Sequence, residues 1–175
     1  HYPLLLDPET RAFYESQGWT MEQYLQRGIE LDNAVMGNFP EVTFGFHLCR
    51  GNQGSRWLVE GGYDLIAGPI FQNIHAHRLL LEYDDERSGS FEPLRQIPKD
   101  KMVVLGLVTT KFGKLESKDE LKRRIDQAAK YAPLEQLCIS GQCGFASTEE
   151  GNLLTEEEQW AKLRRLVEVA GEVWR

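Results

Sequence analysis

Apolar positions along the chain follow two rhythms. Between Thr20 and Met36 they recur at Met21, Tyr24, Leu25, Ile29, Leu31, Ala34 and Val35, roughly the spacing of one helical face. Thr20, with Gln23 three residues on, has the form of a capping box. After the break at Gly37-Asn38-Phe39-Pro40, Val42 to Leu48 is short, β-branched and aromatic, which predicts a strand running into Cys49. A helix is expected within Trp57 to Asn73, followed by a buried strand from Arg78 to Tyr83. Met102 to Thr109, after Pro98, is apolar throughout, the pattern of a parallel strand covered on both faces. Lys118 to Tyr131 predicts an amphipathic helix, Leu137 to Ser140 a fourth strand, and Thr155 to Trp174 a closing helix capped by Thr155 with Glu158. Trp160, Leu163, Leu166, Val167 and Ala170 on that helix are expected in the core. The acidic run Glu156 to Glu158 suits its N-terminus electrostatically.

The order is a helix and then four βα units with strands apolar enough to be buried and parallel, so the fold class is α/β. No repeat or Ser/Gly linker divides the sequence, and one domain spanning residues 1–175 is expected. A complete (β/α)8 barrel needs about 250 residues and eight strands. Four units fit either an open doubly wound sheet or half of a barrel, and periodicity does not choose between them.

Charge narrows the partners. Twenty Lys and Arg against 27 Asp and Glu leave a formal net charge of −7, with no basic stripe. Nucleic acid and anionic membranes are therefore disfavoured, and small molecules are the expected partners. The longest apolar stretches are too short to span a bilayer, and the N-terminus lacks a basic segment followed by an apolar signal core, so a cytoplasmic location is expected. Three cysteines, Cys49, Cys138 and Cys143, cannot all pair within one chain and read as thiols or metal ligands.

The polar residues that interrupt this apolar pattern gather at strand ends. His47 and Cys49 end the first strand, Glu82 the second, Lys111 follows the third and Cys143 the fourth. In parallel α/β architectures the C-terminal edge is where ligands bind. His47 and Cys49 stand two apart on extended chain and so share a side. A His, Cys, Glu, Cys set offers the borderline-soft donors that zinc prefers, although Asp84 or Asp85 can compete with Glu82. The plainer reading is a buried thiol beside a hydrogen-bonded histidine. His75-Ala76-His77 has metal-like spacing but lies ahead of a strand, away from that edge, and reads as structural or surface. Arg50 to Ser55 is glycine-rich and basic and can be imagined around phosphate or carboxylates. It lacks the spacing of a phosphate loop, and reads as the connection from Cys49 to the next helix.

Four runs, Phe46-His47-Leu48-Cys49-Arg50-Gly51-Asn52, Leu81-Glu82-Tyr83-Asp84, Val104 to Lys111 and Gln142-Cys143-Gly144-Phe145-Ala146, together resemble the catalytic domain of cobalamin-independent methionine synthase, over most of the chain. The resemblance implies a (β/α)8 barrel of which this chain holds strands five to eight, a half barrel. It also implies one zinc ion held by His47, Cys49, Glu82 and Cys143, with Glu82 the most replaceable ligand. The reaction implied is methyl transfer from a folate-type donor to a thiol, homocysteine giving methionine. Cys138 matches no ligand position and reads as a core thiol. On the same basis His1 begins just beyond the fourth strand, whose acidic residue the family uses to hold the substrate amino group. The missing half is then expected in the same chain or as a partner, since four strands of a closed barrel expose two sheet edges.

Lys111 marks a departure, because full-length synthases carry a histidine at that place, and it puts the chain nearer the short, single-barrel relatives. Lys111 is a candidate to hold an acidic donor or substrate or to act as an acid toward the leaving nitrogen; otherwise it is a strand-end lysine reaching water. Two rival readings keep the motif: a zinc alkyltransferase using another thiol of the coenzyme M kind or a corrinoid methyl donor, and a non-catalytic zinc-binding half barrel.

Overall fold

The computed structural model describes residues 2–174; His1 lies outside the described residues. The elements run α1 (Pro8–Ser16), α2 (Met21–Met36), β1 (Gly45–Leu48), α3 (Asp64–Asn73), β2 (Arg78–Glu82), β3 (Met102–Val108), α4 (Lys118–Ala128), β4 (Leu137–Gly141) and α5 (Glu156–Val173), with one 3-10 segment ahead of α1, two between β2 and β3 and one before β4. Both expected capping boxes form, Thr20 with Gln23 and Thr155 with Glu158, and satisfy donors that a first helical turn leaves open. α1 is additional to the sequence reading. Its signal was present, for Asp7 caps Thr10 and Pro8 occupies the first helical turn, a favoured pairing.

All four strands are parallel and lie in the order β1-β2-β3-β4. Each strand pairs with its sequence neighbour. Right-handed connections then place every crossover helix on one face of the sheet, the arrangement of a barrel segment and not of a doubly wound sheet, whose order reverses midway. The four βα units form half of a (β/α)8 barrel.

The register sorts side chains between the two faces. His47, Leu80, Val104 and Cys138 are mutual partners across the sheet and line its inner face. Leu79, Leu81, Val103, Leu105 and Leu137 point the other way and are buried with Ile66, Ala67, Ile70 and Phe71 of α3 and Leu121, Ile125 and Ala128 of α4. Burying each leucine there contributes about 2 kcal/mol. Inner-face Leu80, Met102, Val104 and Cys138 are only half-buried, so β3 is fully covered along its outer side alone. Cys138 is therefore a half-buried inner-face thiol and not a core one. Gly106 pairs with Glu82, and a Cβ there would come within 2.9 Å of the Leu81 carbonyl oxygen. Only glycine fits, and no side chain then competes for the space beside Glu82.

The expected core stripe of α5 is corrected. Trp160 is 49% and Val167 73% exposed, whereas Lys162 and Val169 are buried; Leu163, Leu166 and Ala170 are half-buried. The loop between β3 and α4 presents polar groups to this helix that must be satisfied. Lys162 Nζ donates to the Lys114 carbonyl at 2.6 Å and to both Glu116 carboxylate oxygens at 2.9 and 3.2 Å, and Arg165 donates to the Glu116 carbonyl. Lys162 thus shares the inward side with Val169, and Leu166 and Val173 pack against the core beside it, while Trp160 and Val167 are left outside. No helix among the described residues is long and apolar enough to cross a membrane.

Candidate metal centre

β1 delivers His47 and, one residue beyond its end, Cys49; β2 ends on Glu82; β4 is followed by Cys143. Parallel pairing brings these three C-terminal ends to one edge of the sheet, with the end of β3 between those of β2 and β4. One ligand atom from each of the four residues lies within 4.8 Å of the other three. His47 Nε2 is 3.2 Å from Glu82 Oε1, the Cys143 thiol donates to the same oxygen at 2.7 Å, and the two sulfurs of Cys49 and Cys143 are 3.3 Å apart. The Gly51 backbone N–H donates to Cys49 Sγ at 3.2 Å. Gly51 sits at φ 95°, where its Cβ would strike Leu58, so glycine is required for the chain to turn its amide back onto the sulfur. Glu82 is fully buried, and its Oε2 has no hydrogen-bond partner.

The electrostatics of the cluster are those of a shared proton set. The hydrogen bond from Cys143, helped by His47 and Gly51 and opposed by burial, holds the Cys49 thiol down to about 5. Cys143 is pushed up by that same bond, by burial and by Glu82. Burial opposes a charge on His47, yet its bonds to Cys49 and Glu82 raise it to about 9. Burial likewise opposes ionisation of Glu82, but hydrogen bonds from His47 and Cys143 and the charge of Lys111 hold it below the usual carboxylate range. A thiolate, a carboxylate and an imidazolium packed together form a donor set from which a cation can displace protons.

Around this cluster the structure supplies parts that sequence reasoning missed. The Tyr63 hydroxyl donates to the Leu48 carbonyl at 3.1 Å and accepts from the Glu82 N–H at 2.9 Å, tying together the ends of β1 and β2 that carry the cluster. Arg50 is fully buried, stacked 4.2 Å from the Tyr63 ring centroid and donating to the Gly61 and Ser88 carbonyls. Its guanidinium is committed inward, so the phosphate-cradle reading of that loop is set aside. Ser55, at φ 68°, gives its hydroxyl proton to the Lys111 carbonyl at 2.6 Å and accepts from the Leu153 N–H at 2.7 Å. One side chain thereby fastens the loops after β1, β3 and β4.

Other candidates resolve individually. Asp84 pairs with Arg87 at 2.8 Å and Asp85 caps a 3-10 turn, which leaves Glu82 in the cluster. His77 Nδ1 accepts from the Phe44 N–H and the His75 N–H donates to Asn33, so both histidines are exposed and serve the fold. Lys111 is fully buried, its Nζ donating to Gln142 Oε1 at 2.7 Å; it does not reach water.

Comparison with known proteins agrees with this geometry. The sequence model of the family described as "Cobalamin-independent synthase, Catalytic domain" matches residues 66–172, the part containing Glu82, Lys111 and Cys143. The uncharacterized protein YxjG of Bacillus subtilis (strain 168) is 53% identical over 163 residues, 92% of this chain and 43% of that protein. YxjH of the same organism is 53% identical over 146 residues, 83% of this chain and 39% of its own length. Among solved structures, a putative vitamin-B12 independent methionine synthase from Listeria monocytogenes superposes with a TM-score of 0.69 at 31% identity, covering 90% of this chain and 43% of that one. A B12-independent methionine synthase from Shewanella sp. W3-18-1, solved with selenomethionine, shares the fold at a TM-score of 0.67 and 20% identity, over 83% of this chain and 42% of that one. The chain thus spans less than half the length of these relatives. With more than half of its residues matching that family and a parallel half barrel carrying the His, Cys, Glu, Cys cluster at its C-terminal edge, the chain belongs to the cobalamin-independent synthase catalytic-domain family.

Proposed function

We propose that this chain carries the metal-binding half of a methyltransferase, in which zinc held by His47, Cys49, Glu82 and Cys143 serves methyl transfer from a folate-type donor to a thiol, with homocysteine as the acceptor. The observation that carries this reading is the convergence of four ligand atoms within 4.8 Å at the C-terminal edge of a parallel sheet. The donor set suits zinc: two sulfurs, an imidazole nitrogen and a carboxylate oxygen are what a borderline-soft tetrahedral cation takes. Bonds of about 2.0–2.3 Å put tetrahedral ligand atoms about 3.3–3.8 Å apart, close to the 3.2 and 3.3 Å separations found here. The orphaned Glu82 Oε2 supports placement of that carboxylate for a cation.

When bound, zinc would supply the positive charge that keeps a substrate thiol deprotonated at neutral pH, below the ordinary thiol pKa of about 8.5. The chain's own residues set the character of the reaction. Two thiolates and one carboxylate bring three negative charges against the two of the ion, which favours an electron-rich sulfur nucleophile over carbonyl polarisation. Tyr63 and Gly51 hold the ligands in place. In the transfer, the sulfur bonds the methyl carbon as the donor's carbon–nitrogen bond breaks, and the leaving nitrogen takes a proton.

The test is zinc per chain by elemental analysis after mild chelation, for the unaltered protein and Cys143→Ser, with methyl-transfer assays on the full-length protein. About one zinc, lost together with turnover in Cys143→Ser while the fold is retained, is expected. Unchanged turnover in that variant would sink the proposal.

A further inference from the structure

Of the eleven buried side-chain nitrogen and oxygen atoms without a hydrogen-bond partner among the described residues, ten belong to Glu82 at the end of β2 or to the loops that follow the four strands; Arg165 Nε is the exception. Buried polar atoms are normally paired, so these atoms are open to partners outside the described residues. Among the described residues, two fully buried cations at the C-terminal edge have no carboxylate partner, Arg50 and Lys111; Arg50 is spread over two carbonyls and the Tyr63 ring, which leaves Lys111. It is fully buried, and an ammonium has three donors. Its hydrogen bond goes to a neutral amide, Gln142 Oε1, at 2.7 Å. No carboxylate among the described residues lies within ion-pair distance of it, for Glu82 faces His47 and Asp84 faces Arg87. A buried cation without a counter-charge is costly.

Gln142 points the same way. The ammonium requires an acceptor, which fixes the amide with Oε1 toward Lys111, where Thr109 Oγ1 also approaches at 3.4 Å. Nε2 is then turned away, buried and unpartnered. Gln142 is itself more than nine-tenths buried and directly precedes Cys143. Lys111 and Gln142 thus place spare N–H donors beside the metal cluster, close enough for the lysine charge to act on both Glu82 and Asp84.

We infer that Lys111 and Gln142 form a carboxylate-binding subsite, accepting the acid group of a substrate whose other end reacts at the cluster. This deepens the methyl-transfer proposal and rests on it for the identity of that reaction. A planar carboxylate takes one hydrogen bond from Lys111 Nζ and one from Gln142 Nε2 and neutralises the buried charge. The acid can belong to the thiol acceptor or to the methyl donor, and the experiment separates these sources.

Binding to the full-length, metal-loaded protein is measured by calorimetry for homocysteine against its decarboxylated analogue 3-aminopropane-1-thiol, and for methyltetrahydrofolate against a pterin analogue lacking the glutamate. The unaltered protein, Lys111→Met and Gln142→Glu are compared, with zinc content and thermal midpoint recorded for each. Lys111→Met is expected to weaken binding of one acid-bearing ligand about 10- to 100-fold and to leave its acid-free counterpart unchanged; whichever pair responds identifies the source. Gln142→Glu places a carboxylate against the ammonium, so it is expected to raise the thermal midpoint while weakening the same ligand. A purely structural lysine predicts the opposite signature, a lowered midpoint in Lys111→Met with no discrimination between acid and acid-free ligands. That result, or the absence of any preference for the acid in the unaltered protein, overturns the inference. Zinc content is read separately, so a failure of the metal assignment is distinguishable from a failure of this subsite.

Discussion

Tyr63 shows how much one hydroxyl settles in this site. It spans the Leu48 carbonyl and the Glu82 N–H, so Tyr63→Phe leaves two buried backbone groups unpaired, a cost of about 1–3 kcal/mol. The substitution also frees β1, with His47 and Cys49, to move against Glu82. The expected outcome is a lower thermal midpoint together with about 10-fold weaker zinc binding in competition with a chromophoric chelator; equal zinc affinity would show that the strand pairing alone aligns the ligands. Thiol alkylation offers a second check at this scale. Zinc loading is expected to protect Cys49 and Cys143 and to leave the rate at Cys138, on the inner face outside the cluster, unchanged. The four residues of the cluster were legible in the sequence because each is chemically unusual at the end of an apolar strand. Tyr63 was not, because a tyrosine before a helix looks like packing until its partners across two strands are seen.

Between elements, α5 is fastened by charge as well as by apolar contact. Lys162 is buried with its ammonium on Glu116, and Glu116 Oε1 also accepts the Thr109 N–H at 2.9 Å. Lys162→Met strands that carboxylate beneath the helix and is expected to cost about 3 kcal/mol in chemical denaturation, with partial recovery when Glu116→Leu removes its partner. Glu172, near the end of α5, faces Lys118 and Lys122 of α4, and their hydrogen bonds hold its carboxyl down to about 2. A folded pKa below the unfolded value of about 4.3 gives stability that is present above the unfolded pKa and lost as pH falls toward 2. Glu172→Gln should therefore reduce the acid sensitivity of unfolding between those limits, and a carboxyl resonance titrating near 4.3 in the folded protein would contradict the assignment. Periodicity located α5 but misjudged its face, because Trp160 and Val167 are apolar while the loop carbonyls at Lys114 and Glu116 call for donors. Hydrophobicity along a helix records what is apolar, and it is silent on which buried acceptors a neighbouring loop presents.

At the scale of the whole molecule, the sheet is half-built. β1 and β4 each pair along a single edge among the described residues, and the inner face carries Leu80, Val104 and Cys138 only half-covered. The relatives are more than twice as long. Produced by itself, the 175-residue chain is expected to self-associate with rising concentration in sedimentation; co-expression with the remaining barrel strands of the longer relatives should suppress this. A monodisperse monomer at high concentration would show that the edges are protected within the chain.

The alternation of helical and apolar strand-like segments determined the α/β class, the capping boxes and the four strands, since each depends on residues near in sequence. The spacing of His47, Cys49, Glu82 and Cys143 at strand ends was likewise readable, because parallel strands put like ends together. Tertiary structure decided the rest. The strand order separated a barrel segment from a doubly wound sheet, the register placed Cys138 on an open face, and the loops after β3 and β4 closed over Lys111 beside Gln142. Those outcomes depend on contacts between residues tens of positions apart, whose energies come from burial and pairing in space and leave no periodic trace along the chain.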